Sequence, residues 1–490
     1  MKPGRHAWWR CALAALLPAA TVLGLVAVLF RAGPLQFLPI WNDEVIYWNE
    51  AAVFAEAGFE GGYVTVHEEV APAAFSRFGP HGPAFAVFHG SIARVIGWEP
   101  PTALFINLAV VSVAAFAWVR GSAAGTSPAA LLLLAGFWPL LLYLPTQMQE
   151  PTHFAIAFLF ALAIARQWDA PGIPTYLWTA VLLAAAALLK PSWALLLLPL
   201  GWRRARRAGP AGVAVLVLLT LVVSAAAFRV FGTLASPSRN AVPALISALR
   251  EAPSRVPALV LDSAARNLRA WFTIGEDQPS EVIFRYFTAL LVAILLVRCT
   301  FARPRAPAHA DALETAFLTV APVLVITLLI GDVESWRDFR VIAPHVLVAL
   351  LLLVAYTRWE RWIWAGTLVL APLYYRQFVE FHEERFTRDH GAIAAMRDAT
   401  AGVIRFTPGA SPWTNTVSVS ADLLQFPLLG LPRGVGVSYV VDWLDHASDV
   451  RSAYVLLRPA DRQEADMVVR LEPLVETPLG TLYRNAGPAR

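Results

Sequence analysis

Apolar blocks of about 15–20 residues recur through residues 1–378, and they constrain the fold more than any other feature of the chain. A helix of that length crosses a hydrocarbon core of ~30 Å, and helices satisfy their own backbone groups where water cannot. The chain is 57% hydrophobic and 15% charged, whereas soluble chains run about 45–50% apolar and about 25% charged. Candidate spans are 11–30, 102–119, 129–145, 153–167, 174–189, 191–201, 211–228, 282–299, 313–330, 341–357 and 361–378. Segment 84–97 is apolar but short, and it carries His89 and Arg94. Residues 11–30 follow Lys2, Arg5 and Arg10 as in a signal peptide, but the run is long for one, so an uncleaved first helix is expected.

The net charge is +4, and the basic excess lies in short clusters between apolar blocks. That distribution sets topology and does not suggest nucleic-acid binding. With the N-terminus inside and 84–97 lying on the membrane without crossing, Arg120, Arg166, the cluster Arg203–Arg207, Arg298–Arg305 and Arg358–Arg361 all fall inside, as basic residues prefer. This predicts eleven spans. The loop 31–101, the turn near 146–152, the loop 229–281, the turn 331–340 and the tail 379–490 then lie outside. Pro191 disfavours helical geometry at Lys190, so Lys190-Pro191-Ser192 reads as a tight outside turn; one kinked span there would flip everything downstream. The tail alternates at period two over Thr416–Ser420, Val435–Val441, Tyr454–Leu457 and Met467–Leu471, with a helix expected around 390–405. The expected fold class is therefore an all-α polytopic membrane protein, 1–378, with a small external α/β domain, 379–490. Cys11 and Cys299 fit neither a metal site nor a disulfide framework.

The first loop opens with Trp41-Asn42-Asp43-Glu44-Val45-Ile46-Tyr47-Trp48. Adjacent carboxylates on a helix point about 100° apart, so one can face a pocket while the other faces water. Asp43 reads as a general base at the membrane surface; the plainer reading is an acidic pair at a solvated helix N-terminus. Tyr47 and Trp48 suit the lipid–water interface. Glu150 opens a span, where a carboxylate suits the helix dipole; alternatively it orients an acceptor or shares a metal with Asp43. His153 stands one turn along, but Glu-x-x-His is common by chance, so no metal or other cofactor is assigned and divalent-metal assistance stays open. Leu261, Ala265, Leu268 and Phe272 form the apolar stripe of a helix expected to lie on the membrane.

The acidic motif is followed by Ser76-Arg77-Phe78-Gly79-Pro80-His81-Gly82-Pro83 and then by an apolar segment ending Gly97-Trp98. Further along stand Gln149-Glu150-Pro151, Lys190-Pro191 and the stretch GDVESWRDFRVIAPH from Gly331 to His345. In this order and on one face, the motifs resemble the GT-C superfamily of polytopic glycosyltransferases, in particular bacterial relatives of protein O-mannosyltransferases and of the aminoarabinose transferase that modifies lipid A. His81-Gly82-Pro83 departs from that family's His-Pro-Pro or Lys-Pro-Pro turn by one glycine. The likeness covers about 1–378 and hardly touches the tail.

The resemblance implies an inverting transferase in the bacterial inner membrane, N-terminus cytoplasmic, with a polyprenyl-phosphate sugar as donor and an external glycan, lipid or protein as acceptor. Asp43 would then take the acceptor proton, with Glu44 as fallback base. Arg337 and Arg340, three apart and so on one face if helical, would hold the leaving phosphate by forked hydrogen bonds, with Arg77, His81 and Lys190 as further phosphate ligands. Their plain alternative is interfacial anchoring. A transporter or flippase of lipid-linked sugars is the first rival, but the polar candidates cluster outside the membrane and the chain shows no repeated halves. A non-catalytic assembly protein needs an assay to separate it. A polysaccharide polymerase or ligase would need a larger late external loop than 331–340.

Overall fold

The computed structural model describes residues 8–61, 65–73, 77–122, 124–236, 247–273, 279–301, 307–330, 340–357, 371–446, 450–466 and 469–488. The helices are α1 (Trp8–Ala15), α2 (Leu17–Phe30), α3 (Asn42–Ala57), α4 (Pro83–Ile96), α5 (Pro100–Gly121), α6 (Pro128–Gly136), α7 (Trp138–Tyr143), α8 (Glu150–Asp169), α9 (Ile173–Leu189), α10 (Leu197–Arg207), α11 (Pro210–Leu234), α12 (Val256–Phe272), α13 (Pro279–Phe301), α14 (Pro307–Ile330), α15 (Ala343–Tyr356), α16 (Ala371–Thr387), α17 (Gly391–Thr400) and, late in the tail, α18 (Pro459–Asp466). Proline sits in the first turn of α5, α6, α7, α8, α9, α11 and α15. There its missing N–H is one the helix leaves unpaired anyway, and its fixed φ suits the start.

Apolar helices lie within many of the expected spans, but the count of eleven is not established. Among the described residues, four helices (α5, α11, α13 and α14) are long and apolar enough to cross a bilayer, and α1 with α2 makes a fifth if their 42° bend lies within one span. Residues 358–370, most of the last expected span, lie outside the described residues. The expected crossing at 129–145 is broken at Phe137, which ends α6 in extended geometry ahead of Pro139. Segment 84–97 is the 14-residue α4, about 21 Å long and short of a span. It packs tightly on α3: a Cβ on Gly90 would come within 2.7 Å of Phe54 Cβ and 2.9 Å of the Ala51 carbonyl.

Lys190 is extended, with φ −154° and ψ 122°, and it ends α9; a 3₁₀ turn Pro191–Leu196 then feeds α10. The chain reverses here, because the end of α10 returns to the start of α9: Arg203 Nη1 donates to the Trp168 carbonyl just before α9. Contacts at helix ends sort the bundle into two ends. One holds the start of α8, the Lys190 turn and the last residues of α11, where Ser236 N donates to the Phe78 carbonyl at 3.1 Å. The other joins Arg203 to Asp311 and Tyr356 to Asp169. Trp202 and Arg206 bond Glu314 at that same end.

The tail forms a six-stranded sheet in the order β1-β3-β2-β4-β6-β5, from β1 (Thr65–Val66), β2 (Thr416–Ser420), β3 (Gly436–Val440), β4 (Tyr454–Leu457), β5 (Val469–Thr477) and β6 (Gly480–Pro488). β3, β2 and β4 are parallel and buried, while β4, β6 and β5 are antiparallel. The expected strands at 416–420, 435–441 and 454–457 are present, as is the helix near 390; β6 is an addition, and Met467 lies outside the described residues. The unforeseen strand is β1, which comes from the first loop and pairs parallel to β3, Thr65 with Ser438 and Val66 with Tyr439. Just beyond it, Glu68 is fully buried at φ +57°. Its Oε1 accepts from Ser418 Oγ (2.9 Å) and from Ser452 N (2.8 Å) and Oγ (2.5 Å), and its Oε2 from Arg451 N (2.6 Å). The loop is thus fastened into the tail, and α16 runs through residue 378 without a break.

Glu68→Ala strands these donors in a dry site, at about 1–3 kcal/mol for each group left unpaired. A lower thermal midpoint together with faster proteolysis of the 65–73 segment is expected; an unchanged midpoint contradicts the fastening role.

Candidate active site

Four helix N-termini converge beside the 144–149 loop. Asp43 is the second residue of α3, Glu150 is the first of α8, Arg340 precedes α15, and His81 precedes α4. Arg340 Nη2 lies 3.0 Å from Asp43 Oδ2 and its Nε lies 3.2 Å from Glu150 Oε1. Nη1 approaches Met148 Sδ at 3.4 Å. Burial works against charge on Arg340, but Glu150 and then Asp43 outweigh it and hold its pKa above the ordinary guanidinium value. Asp43 keeps 28% of its side chain exposed, against 8% for Glu150 and 18% for Arg340. Asp43 is therefore the carboxylate that an incoming molecule meets.

His81, half-buried, packs its ring 4.7 Å from Tyr47. Burial drives its pKa down to about 4; Asp43 works against the drop, and Arg340 and Lys190 add to it. His81 is thus neutral at physiological pH, and Lys190 stands close enough to act on the same group. Tyr47, one helical turn after Asp43, is buried. Burial, then Asp43 and Glu150, raise its pKa well above 10, so its hydroxyl remains a neutral donor among carboxylates.

The expected site residues divide on these grounds. Asp43, Glu150, Arg340, His81 and Lys190 come together. Arg77 turns away, its Nη1 donating to the Glu60 carbonyl at 3.1 Å. Arg337 lies outside the described residues. Glu44 points about 100° away from Asp43 around α3 and is wholly enclosed, which leaves no room for an acceptor. Its Oε1 and Oε2 lie 2.5 and 2.6 Å from Arg385 Nη1. Oε1 also accepts from Gln147 N at 2.7 Å, and Oε2 from Ile40 N (3.1 Å) and Trp41 N (3.2 Å). Arg385 in turn donates to the Leu38 carbonyl at 3.3 Å and to His382 Nδ1 at 3.1 Å. His382 Nε2 then meets the Leu142 carbonyl at 2.8 Å.

Sequence reasoning missed Arg385, Gln147 and Glu50. Glu44 is the third residue of α3, and its Oε2 reaches back to the Trp41 N–H. Gln147 is fully buried, and both its amide atoms lack a hydrogen-bond partner, an uncommon state for a loop residue beside a cluster of charges. Among the described residues no group of three or more Asp, Glu, His or Cys is placed to hold a metal. Between Asp43 and Glu150 the compensating positive charge comes from Arg340.

The fold is similar to that of a solved archaeal oligosaccharyltransferase. Archaeal oligosaccharyltransferase AglB from Archaeoglobus fulgidus, in complex with an inhibitory peptide and a dolichol-phosphate, matches 97% of this chain and 74% of its own at 11% identity and a TM-score of 0.50. The apo form of an Archaeoglobus fulgidus oligosaccharyltransferase matches 99% and 75% at 10% identity and a TM-score of 0.49. ArnT from Cupriavidus metallidurans bound to undecaprenyl phosphate matches 98% of both chains at 12% identity, with a TM-score of 0.36. No protein-family profile and no curated protein matches the sequence.

Two measurements probe the site's support. Removing either Glu44 or Arg385 leaves its partner charged and dry, which costs about 3–5 kcal/mol. Glu44→Leu and Arg385→Met should each lower the thermal midpoint sharply, and the double variant should lose less than the sum of the two; strict additivity contradicts the coupling. Glu50, also fully buried on α3, has its pKa raised by burial to about 8, although the Gly79 N–H donates to it. A carboxyl raised in the folded state contributes its stability in full below pH 4.5 and loses it as pH rises toward 8. Glu50→Gln should therefore raise the midpoint more at pH 8 than at pH 5; an equal change at both would contradict the buried neutral state.

Proposed function

We propose that the chain is a membrane glycosyltransferase that moves a sugar from a polyprenyl-phosphate donor to an acceptor on the external face of a bacterial inner membrane. The observation that carries this reading is Arg340 held between Asp43 and Glu150 where helix N-termini meet. Helix N-termini and guanidinium groups both favour phosphate oxygens. The resting cluster is balanced only because carboxylates occupy the place of an anion.

A donor phosphate entering the cluster competes for Arg340, with Lys190 as second cation. Each hydrogen bond Arg340 gives to phosphate is one Asp43 loses, and Asp43 becomes the stronger base as it is released. Asp43 then takes the proton of the acceptor hydroxyl or amine. The acceptor heteroatom forms a bond to the anomeric carbon, the bond from that carbon to the phosphate oxygen breaks, and the electron pair leaves on polyprenyl phosphate. Attack from the face opposite the phosphate inverts the centre. Glu150 keeps Arg340 aimed, neutral Tyr47 and His81 line the sugar side, and Glu44 positions α3 without touching substrate. The external assignment is supported by the sheet, which joins the first loop and the tail and so requires both on one side. It is supported also by Arg120, Arg166 and Arg203–Arg207, which follow from helix direction to the other end of the bundle.

The test is incubation of the purified chain with radiolabelled polyprenyl-phosphate sugars and a panel of acceptors. Label should leave the lipid. Asp43→Asn should lower transfer by roughly 10²–10⁴-fold while donor binding persists. Arg340→Ala should weaken donor binding by about tenfold or more. Full transfer by Asp43→Asn overturns the base assignment, and label that crosses the bilayer still attached to its lipid points to a flippase instead.

A further inference from the structure

The bundle has a second polar feature, at the end away from Asp43. A cavity of about 820 Å³ opens between α8, α9, α10 and α11. Its walls are apolar and include Leu183, Leu197, Leu200, Val215, Leu216 and Leu219, and its rim carries Arg203, Arg204 and Arg207. Among the described residues no Asp or Glu lines it. Arg203 is already engaged, its Nε 2.9 Å from Asp311 Oδ2. Arg204 and Arg207 are exposed, and among the described residues neither forms an ion pair.

Backbone geometry builds the groove. Gly209, at φ +86°, reverses the chain between α10 and α11, and Gly212 lets the two helices touch: a Cβ there would stand 2.7 Å from the Ala205 carbonyl. With α10 and α11 pinched at this end, the space between them and α9 stays open. Val215, Leu218, Leu219 and Val222 of α11 are exposed beside the opening, so the mouth faces lipid. Gln167, on the rim, lies 17 residues along α8 from Glu150, about 25 Å away at 1.5 Å per residue. A phosphate seated here cannot reach Asp43, so the groove is separate from the transfer site.

We propose that this groove binds an anionic phospholipid of the leaflet opposite the transfer site, its phosphate on Arg204 and Arg207 and an acyl chain along the leucine-lined wall. The apolar walls select a lipid over a soluble anion, the unpaired guanidinium groups select a phosphate-bearing anionic head over a zwitterionic one, and the volume suits a bound chain.

The full-length chain is reconstituted with equimolar phosphatidylglycerol and phosphatidylcholine, released into detergent, and its retained lipid counted by native mass spectrometry. Phosphatidylglycerol should be retained preferentially. Arg204→Gln with Arg207→Gln should cut that retention by roughly tenfold or more. Ala180→Trp, which fills the groove and leaves the arginines in place, should cut it equally. Thermal midpoints near that of the parent chain verify folding. Equal retention of the two lipids, or retention indifferent to either variant, overturns the proposal. Displacement of phosphatidylglycerol by equimolar undecaprenyl phosphate overturns the phospholipid assignment.

Discussion

Glu44 and Arg385 are both enclosed without any exposed surface, so each must supply what water would otherwise give the other. The carboxylate also takes the Gln147 amide and two amides at the start of α3. Through these bonds one ion pair fixes the start of the first loop helix, the loop that leads to Glu150, and the helix that enters the tail. Phe37 and Trp41 close over the guanidinium. The distance from Asp43 to Glu150 is set by this pair, and with it the span that Arg340 has to bridge. The buried Glu44 and the more exposed Asp43 thus differ in environment although they are consecutive residues of a single helix.

The cluster around Arg340 is held by the reverse arrangement. Arg340 stands at a helix N-terminus, where a cation is unfavourable, and two carboxylates compensate for it. The Glu44–Arg385 pair behind it is wholly buried, whereas the Arg340–Asp43 pair in front keeps some exposure. Tyr47 and His81, both neutral, add hydrogen-bonding capacity without disturbing that charge count.

The helices were legible because apolar length and proline placement are local properties. The break at Lys190 was legible for the same reason, since a proline acts on its immediate neighbour. Charge parity placed Asp43, Glu150, Lys190 and Arg340 on one face, but only the packing brings them together. Glu44 was misjudged as a reserve base because its partner lies 341 residues away and no local pattern marks Arg385. β1 escaped for a related reason: two residues carry no periodicity, and their pairing depends on a strand 373 positions later.

That last pairing carries a consequence for biosynthesis. Thr65 meets Ser438 across those 373 positions of chain, which at 5–20 residues per second takes about 20–75 s to synthesise. For that interval every membrane helix can be delivered to the bilayer while the first loop still lacks its sheet and α3 lacks Arg385. Asp43 and Glu44 are made early, but Glu44 gains its ion pair only once Arg385 is made. Strands β2–β6 are thus needed before the first loop can take its place in the sheet.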